Sequence, residues 1–393
     1  MSDGTLRLAV LGFPSEHLFG GGLTLLSRIG PAIQAAGGQM AWVDQFYAQD
    51  ADHLARWERE GVIAIPLVQP RRWFRRWLQP DPIAACETRL REFRPNVVIV
   101  AVGGDRRYPG DGWEMKQRLT ELAKAQGARV VIMHQLSEAG LWLEPGAEND
   151  RWLAWQRSAD WHQFVSEGTW RETEANFGFS LPGEVIRNNY NVPYRQPPPW
   201  PEGDLLRLAF VGRFRIHQKG LDLLLDAVSR PELRAQPGWR LSLIGGGAMQ
   251  PRLEAEIARR GLGDRVVVRG HTADVPGIWR EHHLLVMPSR AEGLSLALCE
   301  AMLSERPAIG TGVGGTNDLL VDGETGFAAQ LDAGSLAEAI LRAGEAHRAG
   351  RLAALGRSAG ARARDVFPPD PERSYVAQLV ALLQRPSPAS APA

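Results

Sequence analysis

At 393 residues the chain exceeds a typical domain of roughly 100–200 residues, so two domains are expected. With 44% hydrophobic and 23% charged residues it is neither a disordered nor a collagen-like sequence. Its 45 basic and 45 acidic residues cancel overall and leave each half within one charge of neutral, which speaks against a nucleic-acid face spread over the molecule.

The opening MSDGTLRLAVLGFP has no basic segment followed by a long apolar core, so no signal peptide is expected. Apolar stretches such as 97–102 fall far short of the roughly 20 residues that span a bilayer. The expectation is a cytoplasmic protein, soluble or touching the inner face of a membrane. Cys86 and Cys299, one in each half, read as small buried side chains in a reducing compartment. Only three lysines (Lys116, Lys124, Lys219) stand beside 42 arginines, so a lysine at a chemical position carries weight. Eleven of 13 tryptophans fall at or before Trp200, a hint that the two halves do different jobs.

In chain order, 6–11 is a short β-rich run, followed by the glycine-rich Phe19-Gly20-Gly21-Gly22 and one helical stretch over 23–36. Further strands are expected at 40–44, 61–68, 97–102, 129–134, 162–166 and 184–188. Near-continuous apolar runs without alternation suit parallel strands buried on both faces. Five prolines in 193–203, PYRQPPPWPEG, predict a stiff linker over 196–204 between domains 1–195 and 205–370. The second half repeats the rhythm: strands at 207–212, 240–244, 266–269, 283–287, 307–310 and 326–329, and helices at 221–229, 251–260, 295–304 and 335–348. A last helical pattern, 371–385, follows Pro368-Pro369 and is placed back on the first domain; the tail 386–393 is low-complexity and expected to be disordered. The alternation predicts an α/β protein of two doubly wound Rossmann-like domains facing across a cleft.

Candidate chemistry concentrates in the second half. A strand ends at Gly212, Arg213 leaves its carboxyl end, and a short loop brings Lys219 to the start of a helix. Ligands of open α/β sheets bind just outside such strand ends, and two cations beside helix N-terminal amides suit a diphosphate. The strand 283–287 then leads into Glu292-Gly293-Leu294-Ser295-Leu296 and a mostly apolar helix carrying Glu300. Were both glutamates helical, eight residues would separate them by about 12 Å of rise and about 80° of angle. They cannot share one metal or proton but suit opposite ends of an extended ligand. Glycines follow three further strands, at 245–247, at Gly270-His271-Thr272 and at 312–315, where a ligand can approach the backbone closely.

With these residues in view, the second half resembles the retaining glycosyltransferases of family 4, which have the GT-B fold. VGR…KGLDLLLDA, LIGGG, V-x-G, the E-x7-E signature EGLSLALCEAM and GVGGTNDLL…GETGF occur in family order over about 205–330. The first half resembles the family only through its glycine-rich loop and its strand–helix rhythm.

The resemblance implies a nucleotide-diphosphate sugar as co-substrate, a UDP-sugar ahead of GDP-mannose, without a metal or other cofactor. Arg213 and Lys219 would bind the diphosphate and stabilise it as leaving group. Glu292 would hold hydroxyls of the donor sugar, with backbone amides of Gly293, Leu294, Ser295 and Leu296 near sugar and phosphate. Glu300 would accept from the ribose; Gly270, His271 and Thr272 would meet the base; Gly21 and Gly22 would face the diphosphate. His134 matches a histidine that faces the reacting sugar, although Gln135 follows it where family members often carry an acidic residue. The family's Pro-Asn-Gly turn is replaced by Arg187-Asn188-Asn189-Tyr190-Asn191. The acceptor would be a glycan, a lipid-linked molecule or a small molecule bearing a hydroxyl.

Between Pro70 and Pro80, RRWFRRWL places four arginines on one helical arc of about 140° and four apolar residues on the opposite arc. This suits an anionic membrane surface or one wall of an acceptor site; the plainer reading is a surface helix packing its aromatics inward. Tryptophans 142, 152, 155, 161 and 170 read as core, with stacking on an acceptor as the other option. A nicotinamide-dependent oxidoreductase is disfavoured, because Gly20 and Gly22 lack the third glycine and sit too far beyond the first strand, despite Asp44. A GT-B epimerase or phosphorylase fits the E-x7-E pattern less well. The other functional reading is a catalytically silent sugar-nucleotide-binding subunit that supports a partner transferase.

Overall fold

The computed structural model describes residues 5–12, 23–44, 51–67, 82–102, 112–137 and 143–385. Gly21, Gly22, the 71–78 segment, Trp142 and the tail 386–393 lie outside them.

The chain forms two units, each built on its own parallel sheet. In the first, β1 (Arg7–Leu11), β2 (Gln39–Asp44), β3 (Val62–Pro66), β4 (Val97–Val102), β5 (Arg129–His134), β6 (Trp161–Phe164) and β7 (Gly183–Val185) lie in the order β3-β2-β1-β4-β5-β6-β7. In the second, β8 (Leu206–Val211), β9 (Trp239–Ile244), β10 (Val266–Gly270), β11 (Leu284–Met287), β12 (Ala308–Thr311) and β13 (Gly326–Ala329) lie in the order β10-β9-β8-β11-β12-β13. Both sheets reverse direction of growth beside their first strand, a doubly wound topology. The central strands are apolar on both faces because helices cover both: β4, VVIVAV, is buried at every position.

The stretch 23–36 is two helices rather than one, Leu23–Leu26 and Gly30–Ala35. Pro31 lacks an amide proton and its ring would press on the carbonyl four residues back, so it serves in the first turn of a new helix. That carbonyl, on Ser27, accepts instead from Arg56 Nη2 at 2.8 Å and Trp57 Nε1 at 3.2 Å. Asp44 is buried and accepts from Trp42 Nε1 at 3.2 Å, a core position unlike a ribose ligand. Trp152 and Trp155 pack on Trp113 in the core of the first unit, and Trp170 stacks on Phe164. Both cysteines are free and buried; burial pushes the Cys86 thiol up to about 11.

The proline-rich segment is part of the second unit, which runs from Tyr190 to Pro369 and takes in Ser166–Gly168. Prolines cannot donate, but their carbonyls accept. Arg306 Nη2 reaches Pro198 O at 3.2 Å and Pro199 O at 2.6 Å, and its guanidinium lies over Trp200. The helix Pro371–Gln384 belongs to the first unit: Tyr375 Oη donates to Gln163 Oε1 at 2.6 Å, and Val376, Leu379 and Leu382 are buried. No helix among the described residues is long and apolar enough to cross a membrane.

Candidate donor site

Because every strand of the second sheet runs the same way, all its carboxyl ends open on one edge. There the segments after β10, β9, β8, β11 and β12 lie side by side in strand order. The two central ones, after β8 and β11, carry the candidate cations and Glu292.

After β8 the chain passes Gly212 and Arg213, and buried Phe214 anchors the turn by donating its amide to Gly246 O at 2.8 Å. A single helical turn, Ile216–Lys219, follows and stops at Gly220, whose φ is +65°. A Cβ at Gly220 would stand 1.8 Å from the backbone oxygen of Pro288. This position therefore demands glycine twice, for its left-handed backbone and for the passing chain. Gly220→Ala is expected to cost about 2–4 kcal/mol, seen as a drop of roughly 5–15 °C in the thermal midpoint.

After β11, Ser289 is fully buried; its hydroxyl donates to Glu292 Oε1 at 2.7 Å and its carbonyl accepts from Thr311 Oγ1 at 2.5 Å. Lys219 Nζ reaches the same carboxylate oxygen at 2.6 Å. The two charged side chains are only 17% and 8% exposed, so this contact is better sheltered from screening than a surface pair. The ammonium has further donors, so it can hold a phosphate oxygen while keeping Glu292. Arg213 stays exposed, yet desolvation by the protein beneath it lowers its pKa; Arg215 pushes the same way and Glu292 opposes.

Glu292 lies before the helix rather than on it: the helix is Leu296–Leu303, and only Glu300 of the two belongs to it. No side chain caps its N-terminus, and Ala297 to Leu303 are all buried, which explains a sequence apolar all round. The glycines after β12 hold the approach to this helix. Gly315 N donates to Gly293 O at 2.6 Å, and a Cβ on Gly314 would meet Glu292 O at 1.9 Å. Glu300, buried, accepts at Oε1 from the Asn191 amide at 3.0 Å and from Asn191 Nδ2 at 2.7 Å. On the far side, Gly270 accepts at its carbonyl from Gly245 N at 2.8 Å, while His271 and Thr272 are exposed.

His134 lies at the carboxyl end of β5 in the first unit, wholly buried and stacked on Phe164. Its Nε2 is 3.0 Å from His162 Nδ1, and His162 Nε2 is 3.2 Å from Gln156 O. A carbonyl only accepts, so His162 carries its proton on Nε2 and takes a hydrogen bond from His134 at Nδ1. His134 is then protonated on Nε2, and its Nδ1 has no partner among the described residues. Burial, with His162 beside it, holds His134 neutral; burial brings His162 down to about 4.

Arg213, Lys219, Glu292 and the residues Gly293, Leu294, Ser295 and Leu296 thus follow the carboxyl ends of β8 and β11, Glu300 lies about one turn into the next helix, and Gly270, His271 and Thr272 stand at the end of β10. Sequence reasoning missed Ser289, Asn191, and the pair Asp222 and Arg290, which hold these groups in place. Among the described residues there is no cluster of three or more metal-ligating side chains.

Two parallel-sheet α/β units of this topology constitute the GT-B fold, and comparison with known proteins agrees. Residues 206–345 match the family described as glycosyl transferases group 1. The lipopolysaccharide core biosynthesis mannosyltransferase LpcC of Rhizobium leguminosarum bv. viciae is 31% identical over 42% of this chain and 49% of its own. The chain's matches span about a third to a half of the length of such curated relatives. A glycosyltransferase structure from Rickettsia africae superposes with a TM-score of 0.75 at 13% identity, covering 97% of this chain and 100% of that one. HepE of Anabaena, solved in complex with UDP, gives 0.70 at 18% identity over 96% and 100%.

Proposed function

We propose that the protein is a glycosyltransferase that moves a sugar from a nucleoside-diphosphate sugar to a hydroxyl acceptor, with retention at the anomeric carbon and without a metal. The observation that carries this reading is the meeting of Lys219 and Glu292 at 2.6 Å, at the carboxyl ends of the two strands where the second sheet reverses. A cation and a carboxylate held against one another there match a ligand with a diphosphate at one point and sugar hydroxyls at the next.

In the proposed reaction the acceptor oxygen forms its bond to the anomeric carbon on the face from which the phosphate oxygen departs. That leaving oxygen takes the acceptor's proton. Lys219 and Arg213 stabilise the charge gathering on the diphosphate, the work a metal would otherwise do. Glu292, oriented by Ser289 and Lys219, accepts from sugar hydroxyls, with the amides from Gly293 to Leu296 beside it. Glu300, held by Asn191, takes the ribose, and Gly270, His271 and Thr272 line the base. The resemblance gives His134 the place facing the reacting sugar; its burial and its bond to His162 suit a neutral hydrogen-bonding group there rather than a proton acceptor. UDP-sugar and GDP-mannose stand in that order as donors. The acceptor is a glycan, lipid-linked or small-molecule hydroxyl, and contact with an anionic membrane through 71–78 belongs to the same proposal.

Thermal unfolding with UDP, GDP, ADP or dTDP in the presence of EDTA tests the donor site. A ligand at 100 times its Kd adds about 2.7 kcal/mol to stability. One nucleotide is expected to raise the midpoint despite the chelator; no shift with any of them would overturn the assignment. Nucleotide binding without donor turnover by the purified chain would instead support the catalytically silent subunit.

A further inference from the structure

The segment that carries Lys219 is clasped to the segment that carries Glu292 by a charged pair, Asp222 three residues after Lys219 and Arg290 two residues before Glu292. Arg290 forms a two-pronged ion pair with Asp222, Nη1 to Oδ1 and Nη2 to Oδ2, each at 2.8 Å. The same guanidinium donates from Nη1 to His217 O at 2.7 Å, and the Arg290 amide donates to Gln218 O at 2.9 Å. Arg290 therefore holds the carbonyls of the two residues before Lys219 and the side chain of the residue three after it. Gly220 lies against Pro288 in the middle of this contact. Burial alone would raise the Asp222 pKa, but the hydrogen bonds and charge of Arg290 bring it below the usual range, so the clasp stays ionised at neutral pH.

A four-residue helix is too short to hold its own shape in water. The position of the Lys219 ammonium must therefore come from what the turn is fastened to. A planar guanidinium gripping a carboxylate at two points fixes angle as well as distance.

We infer that Asp222, through Arg290, is a positioning residue that sets the Lys219 ammonium at the place of the donor's diphosphate. The inference rests on the donor-site reading above. If it holds, losing Asp222 acts only where Lys219 is present to be misplaced. A merely structural Asp222 would act alike with or without it.

The test measures affinities for UDP and UMP, and for GDP and GMP, by calorimetry, using whichever base binds. The proteins are the wild-type full chain, Asp222→Asn, Lys219→Ala and the double variant. Lys219→Ala is expected to cut the diphosphate-over-monophosphate preference about tenfold, and Asp222→Asn about fivefold. In the Lys219→Ala background, Asp222→Asn is expected to change that preference by less than about twofold. Equal losses in both backgrounds, or an unchanged preference with a lowered melting midpoint, would overturn the inference. If Lys219→Ala itself leaves the preference intact, the donor-site reading fails and the inference with it. Should Asp222→Asn not fold, Arg290→Lys, which keeps the charge but loses the two-pronged grip, carries the same comparison.

Discussion

Lys219→Ala is expected to lower kcat for sugar transfer by about 10²–10³-fold, the usual loss when one preorganised donor to a developing anion is removed. The lysine is sheltered and bound to Glu292 Oε1, so its cation acts where the local dielectric is low. Truncation also leaves the Glu292 carboxylate with Ser289 as its remaining described donor at that oxygen. A modest fall in the melting midpoint should therefore accompany the kinetic loss. Lys219→Arg should recover only part of the activity, because a broad planar fork does not replace a compact ammonium in the same space. Rates for the three proteins at saturating donor check this. A Lys219→Ala enzyme within about threefold of wild type would remove the electrostatic account of leaving-group stabilisation.

The second large effect is expected at a buried arginine that precedes β12. Arg306 is 1% exposed and donates to five carbonyls, those of Trp279, His282, Ser304, Pro198 and Pro199. Burial brings its pKa down to about 10, still charged at neutral pH. Arg306→Ala strands several buried acceptors at once and releases the proline-rich segment. A loss of about 3–5 kcal/mol is expected, which for a unit of this size lowers the midpoint by roughly 6–20 °C. Arg306→Lys should fall nearly as far, since one ammonium cannot span carbonyls spread around the rim of a guanidinium. Nucleotide binding at low temperature should survive, which separates this scaffold role from that of Lys219.

The strands were legible in the sequence because parallel strands buried on both faces are unbroken apolar runs; β4, β5 and β13 begin and end where the runs do. Helices were harder. Leu352–Val366 is not among the expected helices; it contains Gly356 and Gly360, and glycine weakens a helical pattern. In the structure they are points of close approach: a Cβ on Gly356 would stand 2.1 Å from Glu305 O, and one on Gly360 would stand 2.7 Å from Glu305 Cγ. The helix Ala51–Arg59 is short and rich in charge, with Leu54 and Trp57 as its only large apolar residues. At the site, Lys219 and Glu292 were legible because each sits in a local pattern of glycines and apolar residues. Their supports were not. Asp222 and Arg290 are 68 residues apart, and Asn191 and Glu300 are 109 apart. No local spacing encodes such pairs; they exist only once the strand order has brought β8 beside β11, and the chain after β7 over the helix Leu296–Leu303.

The closing helix Pro371–Gln384 has a consequence for how the protein is made. All seven strands of the first sheet have been synthesised by Val185, yet the helix that supplies Tyr375, Val376, Leu379 and Leu382 to that unit comes last. At about 5–20 residues per second, the intervening stretch of roughly 200 residues takes about 10–40 s to translate. During that interval the later unit, continuous from Tyr190 to Pro369 apart from Ser166–Gly168, can complete its own sheet while the earlier one waits with apolar surface bare. The first unit can therefore complete its helical cover only after the whole of the second has been synthesised.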